Sequence, residues 1–214
     1  MDEITGHQIR DAGLVDWRPL MRGLHARFDT GSFTAGLRFV TAVTEVAEAA
    51  NHHPDVTLTY PTVSLRLISH DVGRLTRRDL DLAARISQIA RDQGITARPD
   101  TLAELTVGLD TADVTAAAPF WAALLTGDPG ALTDNLIEPG EGLVPLWFQR
   151  TDPHPVPRQR FHLDVWVPQD VAQQRITAAL GAGGTLVDDS RAPAFTVLAD
   201  PEGNRACVCT AAGR

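Results

Sequence analysis

The sequence predicts an α+β protein of two domains. In the first part, apolar residues recur at steps of three and four along one long stretch and then alternate with polar residues, which predicts a helix followed by a β-hairpin. In the second part, a strand, an aspartate and a helical stretch occur twice in the same order. The 214 residues, 43% of them apolar, are enough for one or two buried cores.

The first elements are short. Residues 4–12 predict an N-terminal helix, which Gly13 interrupts. Residues 17–21 and 24–28 predict two short strands with Gly23 at the turn between them.

A long helix over residues 33–51 follows, with Ser32 available as its N-cap. Its apolar positions are Phe33, Leu37, Val40, Val43 and Ala47. Pro54 disfavours a helical conformation for His53, so the helix is expected to end at or near the histidine pair. Glu48 and His52 are then neighbours on one helical face.

Residues 56–60 and 63–67 alternate as a β-hairpin with a turn at Pro61. Continued alternation predicts that His70 lies on the face opposite Leu65 and Leu67. Thr76 and Asp79 have the spacing of a capping box and begin a second amphipathic helix.

The predicted domain boundary lies within residues 94–101, where Pro99 breaks the pattern, giving domains 1–97 and 98–214. Strands are predicted at 104–109, 142–149, 160–167, 185–187, 195–198 and 205–209. Asp113 and Asp170 are the predicted caps of two helices, and their alignment suggests a β-α-β-β unit used twice. The proline-rich residues 151–158 link the two halves or form a flap.

Composition excludes several classes of protein. The 27 acidic and 19 basic residues give a net charge of −8, which is the wrong sign for binding nucleic acid. No stretch approaches eighteen apolar residues and the start lacks a leader pattern, so we expect a cytoplasmic protein with no membrane contact. Cys207 and Cys209 are too close in sequence for a typical disulfide between strand residues.

Three histidines, His52, His53 and His70, lie within nineteen residues of one another. Imidazole gives and takes protons near neutral pH, so the cluster suits acid/base catalysis. Two other interpretations stay open at this point, namely unremarkable surface histidines and a metal site, although no familiar ligand spacing completes the latter.

The spacing of these histidines resembles the signature of the pterin-4a-carbinolamine dehydratases. The matching positions are Glu48, His52, His53, Pro54, Tyr60, His70 and Asp79, together with Trp17, Leu24, Arg27, Phe28 and the Leu75-Thr76 helix start. The resemblance covers about residues 3–93 and implies a four-stranded antiparallel sheet with helices on one face. It also implies dehydration of a 4a-hydroxytetrahydropterin, such as that of tetrahydrobiopterin, to the quinonoid dihydropterin, without metal or other cofactor.

The same resemblance supplies the expected site. His52, His53, His70 and Asp79 are expected to be catalytic, with the individual acid and base roles open. The expected substrate-binding residues are Glu48, Pro54, Ser69, Asp71 and Arg78.

Residues 102–210 resemble a glyoxalase-like domain of the vicinal-oxygen-chelate fold. The matching residues are Asp113, Phe120, Trp121, Leu125, 146–149, 160–164 and 200–204. Metal enzymes of that superfamily use His, Gln or Glu from the first and last strands of each half. Here Thr106 (or Leu105), Gln149 (or Phe148), His162 and Cys207 hold those positions, so only His162 is a good ligand and no metal is expected.

Two other functions stay open. The dehydratase fold could act as a non-catalytic binding or assembly module, or the second domain could bind a small molecule or act as a lyase or dioxygenase. The resemblances also lead us to expect a homo-oligomer.

Overall fold

The structure is a computed structural model that describes residues 4, 6–126, 128–140, 144–153, 161–181, 184–199 and 205–213. The chain forms two compact units, Met1–Ala103 with Val167–Val171 and Thr210–Arg214, and Glu104–Trp166 with Ala172–Cys209. The domain boundary predicted after residue 97 stays a prediction. None of the helices within the described residues has the length and apolarity needed to span a bilayer.

The helices and strands of the first unit follow the predicted order up to α3. Its elements are α1 (Gly6–Asp11), β1 (Arg18–Leu20), β2 (Gly23–Asp29), α2 (Phe33–Ala50), β3 (Asp55–Thr59), β4 (Thr62–Leu67), α3 (Arg77–Asp92) and β5 (Thr96–Ala97), followed by a 3-10 turn, Pro99–Thr101. Ser32 caps α2 as predicted, since its side chain accepts from the Ala35 N–H.

The first sheet is antiparallel, in the order β1-β2-β4-β3, and β5 adds a short fifth strand beside β2. Alternate residues of β2 and β4 pack against α2 and α3 in one core, because a strand turns every second side chain to the same face. This core includes Leu24, Ala26, Phe28, Phe39, Val43, Val63, Leu65, Leu82 and Ile86. The predicted α+β class, with helices covering one face of an antiparallel sheet, is confirmed.

The second unit contains two copies of a β-α-β-β order, and the second copy has one further strand. The first copy is β6 (Glu104–Thr111), α4 (Val114–Thr126), β7 (Leu136–Ile137) and β8 (Leu146–Arg150). The second is β9 (Phe161–Trp166), α5 (Gln169–Gly181), β10 (Thr185–Asp188), β11 (Phe195–Ala199) and β12 (Arg205–Cys209).

These strands form one mixed sheet in the order β10-β11-β12-β9-β6-β8-β7. Each copy pairs its first strand in parallel with its last, β6 with β8 and β9 with β12, and the two first strands pair antiparallel at the centre. This symmetric pairing is what a repeated unit produces, in agreement with the repeat suggested by the sequence.

Two details of the second unit bear on the sequence-based predictions. Asp113 caps α4 as predicted, because its Oδ1 accepts the Ala116 N–H at 3.1 Å. Asp170 was expected as a cap, but α5 begins at Gln169 and Asp170 lies in its first turn. Most of the predicted linker, residues 154–158, lies outside the described residues.

Candidate active site

The end of helix α2 turns His52 into the protein interior. Asn51 adopts a left-handed conformation at φ 46°, and the N–H of His52 donates to the Ala47 carbonyl at 3.1 Å. This is the hydrogen-bond pattern that terminates many helices, and asparagine is one of the few residues apart from glycine that tolerates it. The chain leaves the helix axis here, and only 6% of His52 is exposed.

The buried imidazole of His52 meets the carboxylate of Asp79. His52 Nε2 lies 2.8 Å from Asp79 Oδ1, and Asp79 is completely inaccessible to solvent. A carboxylate on one ring nitrogen holds an imidazole in a fixed orientation, and in the neutral ring it selects the tautomer protonated at Nε2. The other nitrogen, Nδ1, is then the acceptor.

Asp79 occupies this position because helix α3 requires it. Thr76 is the N-cap of α3, and the Asp79 side chain accepts the Thr76 N–H at 2.7 Å, completing the predicted capping box. The same oxygen, Oδ2, accepts the Ser69 hydroxyl at 2.7 Å. Ser69 Oγ is also 2.7 Å from Thr76 Oγ1, so both hydroxyls and the carboxylate form one buried network. These hydrogen bonds offset the free-energy cost of removing the Asp79 carboxylate from water.

Glu48 does not orient His52, contrary to the expectation from helical spacing. Its Oε1 lies 3.2 Å from Nε2 of His53, and both side chains are more than half exposed. The reason is that α2 ends at Ala50, so residue 52 no longer follows the helical phase of residue 48. Glu48 therefore contacts the exposed histidine of the pair.

His70 lies beyond the end of strand β4, in a turn that Ser69 closes by pairing with Arg74. Its side chain is 64% exposed, and Nε2 is 3.8 Å from Asp55 Oδ1. Asp55 also accepts a hydrogen bond from Arg66, its partner across the hairpin, at 3.1 Å. Because Arg66 alternates with Leu65 and Leu67, His70 lies beside the sheet face away from the helices, as predicted.

Asp71 and Arg78 tie this turn to helix α3. Arg78 Nη2 donates to Asp71 Oδ1, and this hydrogen bond lowers the pKa of Asp71, with a smaller contribution from the nearby His52. Arg78 Nε is buried and has no hydrogen-bond partner in the described part of the chain. The turn that carries His70 is therefore tied to the first turn of α3, which also carries Asp79.

By burial, the predicted residues divide into two layers. The buried layer is Asp79, Ser69 and His52, and the outer layer is Glu48, His53, Pro54, His70, Asp71 and Arg78. Ser69 was expected to contact substrate, but its hydroxyl is completely buried and occupied by Asp79 and Thr76.

Sequence reasoning did not single out two residues beside this site. Asp55 contacts His70, and the only available signal was its position directly after Pro54. His25 is 6% exposed, and burial, reinforced by Arg66, lowers its pKa to about 3. The alternation of β2 could have indicated the face that His25 occupies, although not its burial.

These features define a two-unit protein whose α+β domain carries a buried His52–Asp79 pair and two exposed histidines in adjoining segments. Residues 2–89 match the family model described as Pterin 4 alpha carbinolamine dehydratase, and residues 106–209 match one described as Glyoxalase-like domain. The chain therefore belongs to the pterin-4a-carbinolamine dehydratase family through its N-terminal part and carries a glyoxalase-like domain after it.

Individual relatives cover the same part of the chain, and their dehydratase names are provisional. The chain is 41% identical over 78 residues to a protein of Cyanothece sp., which is 36% of this chain and 80% of that protein. It is 37% identical to one of Acidobacterium capsulatum, covering 42% of this chain and 99% of the relative. The chain is also similar to the crystal structure of a transcriptional coactivator/pterin dehydratase from Brucella melitensis, with 22% sequence identity and a TM-score of 0.40. The superposition covers 42% of this chain and 99% of the Brucella protein chain.

Proposed function

We propose that the N-terminal domain dehydrates a 4a-hydroxytetrahydropterin to the quinonoid dihydropterin. The reaction breaks the C4a–O bond, and the oxygen leaves as water when it receives a proton. A ring nitrogen loses its proton, and its electron pair forms the new C=N bond. Both proton transfers suit imidazole, at about 10²–10⁴-fold for each positioned general acid or base.

The observation that carries this proposal is the His52–Asp79 pair. Its Nε2 to Oδ1 distance of 2.8 Å and its burial fix one imidazole, while His53 and His70 keep exposed rings in adjoining segments. Family membership supports a pterin as the substrate class. The three histidines are the proposed catalytic residues, and Asp79 is a positioning residue because it is inaccessible and can reach substrate only through His52.

The outer layer supplies the proposed substrate contacts. Pro54 is partly exposed and follows both histidines, and the Asp71–Arg78 ion pair holds the turn that carries His70. Glu48 hydrogen-bonds to His53 and orients that imidazole toward the substrate. Ser69 contributes indirectly, through its hydrogen bond to Asp79.

The test follows conversion of the 4a-hydroxypterin by its ultraviolet absorbance, with the uncatalysed rate subtracted. Full-length protein is compared with His52→Ala, His53→Ala and His70→Ala, and His162→Ala in the other unit serves as the matched control. We expect the control to keep full activity and His52→Ala and His70→Ala to lose about 10²-fold or more. Full activity in both of these variants would refute the assignment.

Binding measured in parallel separates an enzyme from a binding module. Quenching of pterin fluorescence reports binding of a stable dihydropterin, independently of turnover. If the wild-type protein binds the pterin but does not accelerate dehydration, the non-catalytic module is the better description. A cytoplasmic location stays a prediction. Self-association also stays a prediction, and analytical ultracentrifugation measures the oligomeric state.

A further inference from the structure

One face of the second unit's sheet gathers polar side chains. In the register of β6 and β9, Thr106 lies opposite Asp164 and Gly108 opposite His162. Cys207 of β12 lies beside Asp164 on the other side. Directly paired residues project from the same face of a sheet, so these side chains converge.

Three of them form a set of potential metal ligands. The ligand atoms of His162, Asp164 and Cys207 all lie within 4.8 Å of one another, and His162 Nε2 is 3.5 Å from Asp164 Oδ1. Ligand atoms bound tetrahedrally to zinc at about 2.0–2.3 Å lie about 3.3–3.8 Å from one another. The three side chains would therefore have to move closer together by about 1 Å to bind one ion. Nitrogen, oxygen and sulfur donors together suit zinc among the common divalent ions.

The imidazole of His162 is held in place on three sides. A Cβ on Gly108 would lie 2.3 Å from Cε1 of the ring, so only glycine leaves room for it. Trp147 packs edge-on against the ring, with centroids 5.3 Å apart. Asp110 Oδ1 lies 3.8 Å from Nδ1, on the other side of the ring from the potential ligands. A carboxylate behind a ligating histidine is the usual support in metal sites.

Unpartnered polar atoms point to a missing ligand. Thr106 is 2% exposed, and its hydroxyl has no hydrogen-bond partner among the described residues. Trp147 Nε1 is likewise buried and has no hydrogen-bond partner in that part of the chain, and Asp110 Oδ1 has none beyond its 3.8 Å approach to His162 Nδ1. Buried polar atoms are nearly always hydrogen-bonded, so three on one sheet face indicate that something polar belongs there.

We propose that His162, Asp164 and Cys207 bind one divalent metal ion of the zinc class, with Asp110 positioning His162. Such an ion would supply a Lewis acid on the sheet face that also carries Thr106. The sequence led to the opposite expectation because Asp164 was not considered, although it lies two residues after His162 on the same strand face.

A nucleophilic cysteine is the competing interpretation of the same cluster. It is less favoured because a thiolate at Cys207 would lie beside the carboxylate of Asp164, and two neighbouring anions repel each other unless a cation lies between them. The two interpretations differ in what metal does to Cys207.

The test titrates chelator-treated full-length protein with Co²⁺, whose bond to a thiolate gives a charge-transfer band in the near ultraviolet. We expect one ion per chain by elemental analysis, displaceable by Zn²⁺. Cys207→Ser should lose the band, and His162→Ala and Asp164→Asn should weaken binding by 10-fold or more. Gly108→Ala should weaken it by about 10–100-fold, because it displaces the ring of His162. Circular dichroism confirms that each variant is folded.

Matched controls are His70→Ala and Cys209→Ser, which remove a histidine and a thiol outside the cluster and should bind as the wild type does. A second measurement needs no variant: Zn²⁺ should slow alkylation of Cys207 by 10-fold or more, as mapped by mass spectrometry. Sub-stoichiometric binding, a band that survives in Cys207→Ser, or alkylation indifferent to Zn²⁺ overturns the proposal. None of these outcomes affects the proposed dehydratase site.

Discussion

Asp79 Oδ1 lies 2.8 Å from His52 Nε2 while Oδ2 of the same carboxylate caps helix α3. One buried side chain thus orients a proposed catalytic imidazole and begins a helix. Function and stability are therefore coupled at this residue.

Asp79→Asn keeps the size of the side chain but removes its charge. The new amide N–H₂ is a donor, and it would face the Ser69 hydroxyl and the Thr76 N–H, which also donate. We expect a loss of roughly 2–4 kcal/mol in the free energy of unfolding, as for other broken buried networks. Dehydratase activity should also fall in the protein that remains folded, because His52 is no longer held. Urea unfolding and the absorbance assay measure the two effects, and an unchanged stability would contradict the network.

His52→Ala and His70→Ala should differ in stability although both reduce activity. His52 is buried against Asp79, so its removal leaves a carboxylate without its partner and costs roughly 1–3 kcal/mol. His70 is 64% exposed, and its removal should change stability by less than about 0.5 kcal/mol. Equal unfolding midpoints for the two variants would contradict the two-layer description of the site.

Ser69→Ala should destabilise the protein without touching a histidine. The completely buried Ser69 hydroxyl donates to Asp79, and its loss leaves polar groups unsatisfied at a cost of about 1–3 kcal/mol. Ser64→Ala is the matched control, because Ser64 is only partly buried and accepts a single 3.2 Å hydrogen bond from Arg27. If Ser64→Ala lowered the free energy of unfolding as much as Ser69→Ala does, the buried network would contribute nothing to stability.

Acid should weaken the fold through His25. Burial lowers the pKa of His25 to about 3 from 6.5, so the folded state keeps a neutral ring where the unfolded state binds a proton. The stabilising contribution is therefore present above pH 6.5 and is lost as the pH falls toward 3, by up to about 1.4 kcal/mol per pH unit.

His25→Gln should flatten this part of the pH dependence, whereas His70→Gln should leave it unchanged. Denaturant unfolding followed by circular dichroism between pH 7 and pH 4.5 gives both slopes. A wild-type slope retained in His25→Gln would assign the acid sensitivity to other groups.

Local sequence patterns predicted much of the fold. The helical period over residues 33–51, the Ser32 cap and the Thr76–Asp79 capping box are local signals, and the structure contains all three. The repeated order of a strand, a capping aspartate and a helix also follows from alternation and caps. Short strands such as β5 and β7, with two residues each, carry no period and were not predicted.

The site was harder to predict because its contacts join distant segments. The left-handed conformation of Asn51 changes the direction of the chain, so Glu48 hydrogen-bonds to His53 and not to His52. The sequence around Glu48 did not indicate this change of partner. The places of Asp79 and Ser69 in the site were predicted only by resemblance, and their burial depends on how α3 packs beside the hairpin. Asp164 was missed for the same reason, since its neighbour Cys207 comes from β12.

The capping box constrains how this domain can change over time. A lineage that no longer needs the reaction can replace the exposed His53 or His70 with little loss of stability. Replacing Asp79 would instead destabilise the start of α3. Relatives that have lost catalysis should therefore keep this aspartate and its serine and threonine partners. Retention of Asp79 is poor proof of activity, whereas retention of the exposed histidines is the informative sign.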